Sequence, residues 1–507
     1  LEELVLEITD PVMVTEEGTR RAGATAKLTY FPAGKGKREA ASRGRFKFTA
    51  PLGPIENEEL SWYLERYYIW PAGVFKQRAE NVEKKLPAWG KMLYDAVLQN
   101  KSVRHVFAAW EGVTGKTARR FTVFVDSRLV EDEKAEENDE KTKQQAEAGE
   151  AAALLLGLPW ELLHNDRGYL FQGARPVAVR RRLPNRAALA GSVSEPPIRI
   201  LLVSPRPEDD SAGYIDHRVS ALPLVTALES LGNLAELTVL TPPTFPALQD
   251  ELQRAYDAGM PYQVVHFDGH GVFHRELGLG GLCFEEPEDT GKLEKRRARL
   301  ISAGELGEMI SDHRIPLFFL EACQTAKAEE DPTTSVAAAL LDQGVASVVA
   351  MSHSVLVETA RRFVEAFYKE LALGSRVGRA MWKGQRELYA NTYRLKIFGA
   401  GRLDMQDWFV PVLYQEKEDL QLLTKVPSRQ IKEIDKTALE HRFGALPPAP
   451  EHDFIGRSRE LLKLERLLEQ KNYAVVCGQG GEGKTTVAVE LARWLVRSNR
   501  FDRAVFV

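Results

Sequence analysis

The sequence predicts an α/β fold: a mainly parallel sheet with helices on both faces, a β-rich N-terminal part, and a Gly-rich strand-to-helix unit near the C-terminal end. Three observations predict it. Short apolar, β-branched runs at 198–204, 237–241, 263–267, 315–320 and 345–351 alternate with helical patterns at 219–231, 244–256 and 335–341. Strands that alternate with helices form parallel sheets covered on both sides. Before residue 50, runs at 4–9, 26–30 and 44–48 alternate between turn residues, the period of half-buried strands. Finally, an apolar run at 473–477 leads into glycines and then a helical pattern through Val487, Leu491 and Leu495.

A helical pattern starts near Glu58. From 81 to 98, Val82, Leu86, Trp89, Met92, Leu93 and Val97 recur at three- and four-residue steps and give one helix face to bury, with Pro87 expected to divide it. Residues 121–125 read as a strand. The stretch 131–150, dense in Glu, Lys and Gln, reads as a solvated loop or an exposed helix start. A short strand at 177–179 precedes Arg180, Arg181 and Arg182, which read as a solvated or ion-paired loop. Ser302 and Glu305 stand at capping-box spacing and start a helix, and Gly344 ends one before a strand. Ala360, Phe363, Val364, Phe367, Tyr368 and Leu371 step along one helix face; a further helix covers 379–393, and 408–414 closes the unit as a strand. The charged, Pro-containing stretch 416–450 reads as a linker with a helix in it. The units are accordingly drawn at 1–150, 151–414, 415–453 and 454–507, with no internal repeat of fixed period.

At 507 residues the chain has material for about three such units. Lys plus Arg (68) nearly balance Asp plus Glu (72), for a net charge of -4, which gives no overall field to gather nucleic acid or anionic lipid. The basic runs at 180–182 and 292–299 lack interleaved aromatics, so nucleic acid is not an expected partner. Three widely spaced cysteines, Cys283, Cys323 and Cys477, suggest neither a disulfide framework nor a thiolate zinc site and fit a reducing compartment. No apolar run approaches the ~18 residues needed to cross a bilayer, and no signal-peptide pattern opens the chain. A cytoplasmic protein with no membrane partner is expected. The chain begins with Leu1 and stops on the apolar run 503–507, which reads as a segment of something longer.

Two strand ends carry reactive side chains. The run 263–267 leads into Asp268-Gly269-His270-Gly271, and the run 315–320 leads into Glu321-Ala322-Cys323-Gln324-Thr325. Parallel sheets place their sites outside the carboxyl ends of their strands, so both residues are expected in one cleft. A cysteine peptidase needs a thiol that attacks the carbonyl and an imidazole that hands a proton to the departing amine. Cys323 and His270 supply the pair, and the N–H groups of Gly271 and Cys323 are the expected oxyanion donors. By contrast His266, inside the strand, reads as a satisfied core histidine, Cys283 and Cys477 read as structural, and His313 and His353 as surface or loop residues. No cofactor is expected for this chemistry.

The caspase pattern is Gln-Ala-Cys, then Arg, Gln or Gly, then Gly, with the histidine about fifty residues upstream. Ala322-Cys323-Gln324 and the position of His270 agree with it, whereas Glu321 and Thr325 depart. At these residues the sequence resembles the CHAT family of caspase-like, separase-related peptidases. Leu158-Pro159-Trp160-Glu161-Leu162-Leu163-His164, Val265-His266-Phe267-Asp268-Gly269-His270-Gly271, Leu320-Glu321-Ala322-Cys323-Gln324-Thr325-Ala326 and the run 339–351 carry the resemblance, over about residues 20–414. It implies a caspase-like sheet, a cysteine endopeptidase and a protein substrate. Peptidases of this clan that cut after Arg or Lys commonly have an acidic residue at the position of Glu321, so the resemblance also implies a basic residue before the cut. Glu321 lies two residues before Cys323, on the same strand face, and Asp268, two before His270, is a second substrate-binding candidate by the same periodicity.

The C-terminal unit has Gly478-Gln479-Gly480-Gly481-Glu482-Gly483-Lys484-Thr485-Thr486 between an apolar run and a helix, the setting that a P-loop requires. The backbone N–H groups at Gly478, Gly480, Gly481 and Gly483 are expected to wrap phosphates, Lys484 to neutralise them, and Thr485 to hold Mg²⁺, with Thr486 beside it. Phe454-Ile455-Gly456-Arg457 followed by Glu460-Leu461 resembles the entry of STAND-type signalling ATPases of the NB-ARC and NACHT-like group, over the last fifty or so residues. That resemblance implies ATP or ADP with Mg²⁺ in the full-length protein, self-assembly through the ATPase module, and an effector of bacterial immunity or programmed cell death. The second acidic strand and the sensor residues are absent from these 507 residues, so ATP hydrolysis by them is not expected. The competing reading is a catalytically inactive caspase-like interaction module attached to a signalling ATPase.

Overall fold

A computed structural model describes residues 1–16, 18–34, 39–113, 117–126, 139–184, 193–209, 212–274, 279–324, 332–397, 399–416, 418–426, 441–448, 454 and 456–507. The N-terminal part supplies the long hairpin β1 (Glu2–Glu16) and β2 (Thr19–Phe31), the short β3 (Ala40–Ala41) and β4 (Phe46–Thr49), helices α1 (Pro54–Glu65), α2 (Gly73–Leu98) and α3 (Arg104–Glu111), then β5 (Arg119–Asp126) and α4 (Asp139–Gly157). Next come β6 (His164–Asn165), β7 (Gly168–Tyr169), β8 (Val177–Arg182), β9 (Ile198–Val203), α5 (His217–Glu229), β10 (Ala235–Val239), α6 (Phe245–Asp257), β11 (Val264–His274), β12 (Leu279–Glu285) and β13 (Ala298–Ser302). The series continues with α7 (Ala303–Asp312), β14 (Leu317–Gln324), α8 (Pro332–Asp342), β15 (Ser347–Met351), α9 (Val357–Ala372), α10 (Val377–Ala390), β16 (Tyr393–Ile397), β17 (Gly401–Asp404) and β18 (Pro411–Gln415). Among the described residues the chain ends with the entry helix (Ser458–Gln470) and the terminal helix (Lys484–Arg497).

One sheet runs in the order β10-β9-β11-β14-β15-β18-β8-β5-β1-β2-β3. Its centre from β10 to β15 is parallel, as the apolar runs predict, and the β-rich N-terminal part joins the same sheet through β5 and β8. The connection from β9 through α5 leads outward to β10, whereas that from β14 through α8 leads the other way to β15. Crossovers are right-handed, so these two helices lie on opposite faces. The chain therefore changes direction between β9 and β11, the kind of switch point beyond which loops part and leave a crevice.

Several elements differ from the expectation. Pro87 does not divide its helix: α2 continues through it, burying Val82, Leu86, Trp89, Leu93 and Val97. Packing of that face outweighs the one lost backbone bond, although Met92 lies at the exposed edge. Arg180 to Arg182 belong to β8 rather than to a loop, and the Arg180 and Arg181 side chains are buried. Arg181 pairs with Glu161 at 2.6 Å and Arg180 with Glu3 at 2.7 Å. Burial raises the Glu3 pKa, but Arg180 and Arg120 outweigh it and hold that carboxyl at about 2. Arg180 and Arg181 are structural cations. Residues 418–426, within the stretch read as linker, pack on the sheet domain through buried Leu422 and Leu423, with Thr424 N bonded to Ser194 O at 2.9 Å. Residues 131–138 and 427–440 lie outside the described residues. No helix among the described residues is long and apolar enough to cross a membrane.

Candidate active site

Sequence-local rules stop β11 at Phe267 and β14 at Leu320, because the residues immediately beyond are polar or contain glycine. Both strands in fact run on, to His274 and Gln324. Each supplies the other's ladder, since Asp268, Gly269, His270 and Gly271 pair in register with Glu321, Ala322, Cys323 and Gln324. Beyond His270, β12 adds an antiparallel partner to Gly271. His270 and Cys323 thus sit inside two adjacent strands near their carboxyl ends rather than in loops. Thr325 and Ala326 of the cysteine motif lie outside the described residues, and Cys323 is placed by its backbone. Gly271 and Cys323, the expected oxyanion donors, are one register step apart on neighbouring strands.

Alternation puts His266, Asp268 and His270 of β11 on one face with Phe319 and Glu321 of β14, and the Cα of Cys323 is the register partner of His270. That face is layered. Deepest, the His266 ring stacks on Phe319 with centroids 4.3 Å apart, and its Nδ1 meets the Tyr368 hydroxyl of α9 at 2.9 Å. His266 is thereby the satisfied core histidine that its position predicts. Its Nε2 lies 3.2 Å from Glu321 Oε2, and burial raises the Glu321 pKa while His266 opposes the rise. The Glu321 side chain keeps 15% of its exposure.

One layer up, Asp268 is buried and forms an ion pair with Arg206. It also accepts from Ser204 Oγ at 3.1 Å and Ser220 Oγ at 2.9 Å. An anion surrounded by three donors, one a guanidinium, has little field left for an incoming cation. The observed contacts of Asp268, expected as a substrate-binding residue, are those of a support for the end of β11.

Uppermost, His270 is 6% exposed. Its Nε2 lies 2.5 Å from the Gly213 carbonyl, in the loop after β9, across the switch point. A carbonyl only accepts, so Nε2 carries the proton and Nδ1 the lone pair. Nδ1 is buried and has no hydrogen-bond partner among the described residues. Burial lowers the His270 pKa, more strongly than the Gly213 bond raises it, so the ring is held neutral. Gly213 and Arg206 were invisible in the sequence, since both lie in a loop without a motif; only the position after a strand bordering the switch point could have flagged them. Among the other cysteines, Cys283 is buried and burial pushes its thiol up to about 12, whereas Cys477 is exposed, contrary to the structural role expected of it. Among the described residues no cluster of His, Cys, Asp or Glu is placed to hold a metal ion.

At the C-terminal end, Gly481 and Gly483 take left-handed conformations (φ 82° and 81°) that only glycine adopts readily, and the terminal helix begins at Lys484. Lys484 Nζ donates to the carbonyls of Gly478 at 2.9 Å and Gln479 at 2.5 Å. The Glu482 carboxylate accepts from Gln479 N at 2.8 Å. A carboxylate thus sits on a backbone donor of the loop, so the loop residues fit an anionic group. Gly480, Thr485 and Thr486 are exposed. The expected strand at 473–477 is not formed: Tyr473 and Val475 are more than 70% exposed. A strand needs a neighbour to pair its backbone, and none among the described residues lies beside this one. Ile455 of the entry motif lies outside the described residues.

A mainly parallel α/β sheet whose adjacent central strands present a histidine and a cysteine in register is the class of protein that the fold and site define. The CHAT domain model matches residues 150–416, more than half of the chain, and the chain belongs to the CHAT domain family. Among solved structures it is similar to two crystal structures of the Saccharomyces cerevisiae separase–securin complex. One gives a TM-score of 0.36 at 11% identity over 82% of this chain and 30% of that one, the other 0.32 at 11% identity over 83% and 30%. The Arg-specific cysteine proteinase gingipain R (RgpB) gives 0.35 at 10% identity, over 70% of this chain and 78% of its own. The chain spans about a third of the separase chain. No curated protein sequence matches it.

Proposed function

We propose that the protein is a cysteine endopeptidase of the CHAT type, controlled by the nucleotide-binding segment C-terminal to it. The observation that carries the reading is the register of His270 with Cys323 on β11 and β14. Cys323 is the nucleophile. His270 Nδ1 takes the thiol proton, the thiolate sulfur bonds to the scissile carbonyl carbon, and the carbonyl oxygen becomes an oxyanion held by the N–H groups of Gly271 and Cys323. Collapse of the tetrahedral adduct breaks the C–N bond while the imidazolium returns its proton to the departing amine. Water then adds to the thioester with His270 as base, releasing the acid and restoring the thiol.

Glu321 is the specificity residue in this reading. It lies two residues before Cys323 on β14, and its carboxylate is bonded to a histidine rather than paired with an arginine or lysine, so a substrate Arg or Lys is the complementary group. The Gly478 to Thr486 loop would take ATP or ADP, with Lys484 on the phosphates and Thr485 on Mg²⁺, in the full-length protein. Nucleotide-driven self-assembly would then switch the peptidase, and the role would be that of an effector in bacterial immunity or programmed cell death. Replacing Cys323 by Ala in the full-length protein abolishes substrate cleavage and leaves assembly intact; cleavage that survives the change rejects the assignment.

A further inference from the structure

We propose that the entry helix Ser458–Gln470 is part of the peptidase machinery and that Arg466 is a positioning residue for His270. The proposal rests on the peptidase reading and deepens it by naming what links the nucleotide-binding segment to the imidazole.

Arg466 comes from outside the sheet domain, yet its side chain is only 4% exposed. It donates to Glu285 Oε1 at 2.6 Å and to Arg206 O at 3.3 Å, and it also bonds the Glu294 carbonyl. Glu285, at the end of β12, is buried between two guanidinium groups, since Arg296 reaches its other oxygen at 2.6 Å. The same Glu285 oxygen that meets Arg466 accepts the Arg206 backbone N–H at 3.2 Å. Arg206 in turn grips the end of β11: it donates to the Asp268 carbonyl at 2.6 Å and pairs with the Asp268 carboxylate, two residues before His270. The chain of buried groups is therefore Arg466, Glu285, Arg206, Asp268, and then His270.

The helix holds His270 from a second side as well. Ser458 bonds the Asp216 carboxylate, and the Arg459 guanidinium lies 4.3 Å over the Tyr214 ring and 2.5 Å from Glu208. Between these contacts sits Gly213, whose carbonyl fixes the His270 proton on Nε2. One helix thus braces both the loop that selects the tautomer and the strand end that carries the ring.

The brace is built to release. The residues that the entry helix buries are Ser458, Leu461, Glu465 and Arg466, and only Leu461 is apolar. A cavity of about 270 Å³ lies between the helix and the loop, lined by Arg206, Glu208, Tyr214, Lys295, Arg459 and Lys463 among others. Leu461 joins the hydrophobic core with Leu464 and Leu468 partly buried against it, while the buried charged groups make directional polar contacts of a kind that encode position more than adhesion. Docking therefore corresponds to the competent arrangement, with Nδ1 left to take the thiol proton. Undocking frees Gly213 and lets the ring rotate.

The test uses the full-length protein labelled with ¹⁵N at histidine, read by NMR for the His270 tautomer and titration, beside kcat and KM on peptide substrates. Arg466→Ala is expected to lower kcat at least tenfold with KM changed less than twofold. It also converts the single Nε2–H tautomer of His270 into a mixture and moves its titration toward that of free histidine. Arg466→Lys restores part of both effects. If Arg466→Ala does not fold, the pair Ser458→Ala with Arg459→Ala, at the start of the helix, replaces it and is expected to change the tautomer in the same way. A folded variant whose His270 spectrum matches the unsubstituted protein overturns the proposal. The spectrum decides the matter even if no peptide is cleaved, an outcome that counts against the peptidase reading alone.

Discussion

His270 and Cys323 face one another across a single rung of the sheet: their Cα atoms are register partners in the parallel pair β11 and β14. More than fifty residues separate them in sequence, and α7 lies in between. The rungs below carry Asp268 opposite Glu321 and His266 opposite Phe319, so the candidate site caps a continuous buried polar ladder. Such ladders rigidify a site when every member is satisfied.

Substrate preference tests the ladder at Glu321. Glu321→Gln keeps the shape and a hydrogen bond to His266 but removes the charge. It is expected to lower kcat/KM for peptides with Arg before the cut by roughly 10–100-fold, the equivalent of one charge-assisted hydrogen bond of about 1.5–3 kcal/mol, and to leave peptides with Leu there within about threefold. Preferred cleavage after Asp by the unsubstituted protein contradicts the specificity proposal.

How far the sequence foretold this arrangement depends on where each signal came from. β9, β11, β14 and β15 were legible because strands buried on both faces read as unbroken apolar runs. The last residues of β11 and β14 were not, because Asp268-Gly269-His270-Gly271 is polar and becomes strand only through its neighbours. Arg180 and Arg181 read as loop for the same reason: Glu3 and Glu161, which let them be buried, lie far away in sequence. His270 and Cys323 announced themselves by motif, whereas Gly213 acts through a backbone carbonyl, which any residue possesses.

The Arg181 and Glu161 pair gives a stability prediction. Each side chain is about 1% exposed, so Arg181→Met alone strands a buried carboxylate and is expected to cost about 3–5 kcal/mol. Adding Glu161→Leu to Arg181→Met recovers most of that loss. Urea denaturation of the three proteins measures both effects, and additive losses in the double variant contradict the pairing.

The Gly478 to Thr486 loop gives a prediction of opposite signs. Because the Glu482 carboxylate occupies the Gln479 N–H, Glu482→Ala is expected to tighten binding of a fluorescent ATP analogue with Mg²⁺ to the full-length protein about fivefold, one hydrogen bond of about 1 kcal/mol relieved of competition. Lys484→Ala is expected to weaken it at least tenfold, by an order-of-magnitude argument from a lost phosphate contact. Titration by fluorescence anisotropy reads both.

His353, expected as a surface or loop residue, is instead partly buried and gives a pH dependence. Burial pushes its pKa down to about 4, below the ~6.5 of a free histidine. Between these values the unfolded chain binds a proton that the folded one does not, so stability rises with pH across about 4 to 6.5 and is flat with respect to this group outside that window. The contribution is about 3–3.5 kcal/mol at most. His353→Gln should flatten the slope of unfolding free energy over that range; an unchanged slope contradicts the buried neutral ring.

The central claim, that Cys323 is a nucleophile activated by His270, is tested most directly by a peptide electrophile with Arg at the reactive position. Peptide mapping by mass spectrometry then locates the adduct. The account predicts an adduct on Cys323 alone, formed much faster than any on Cys283 or Cys477 and slowed at least a hundredfold by His270→Ala. Labelling that favours the exposed Cys477, or a Cys323 adduct indifferent to His270, contradicts it.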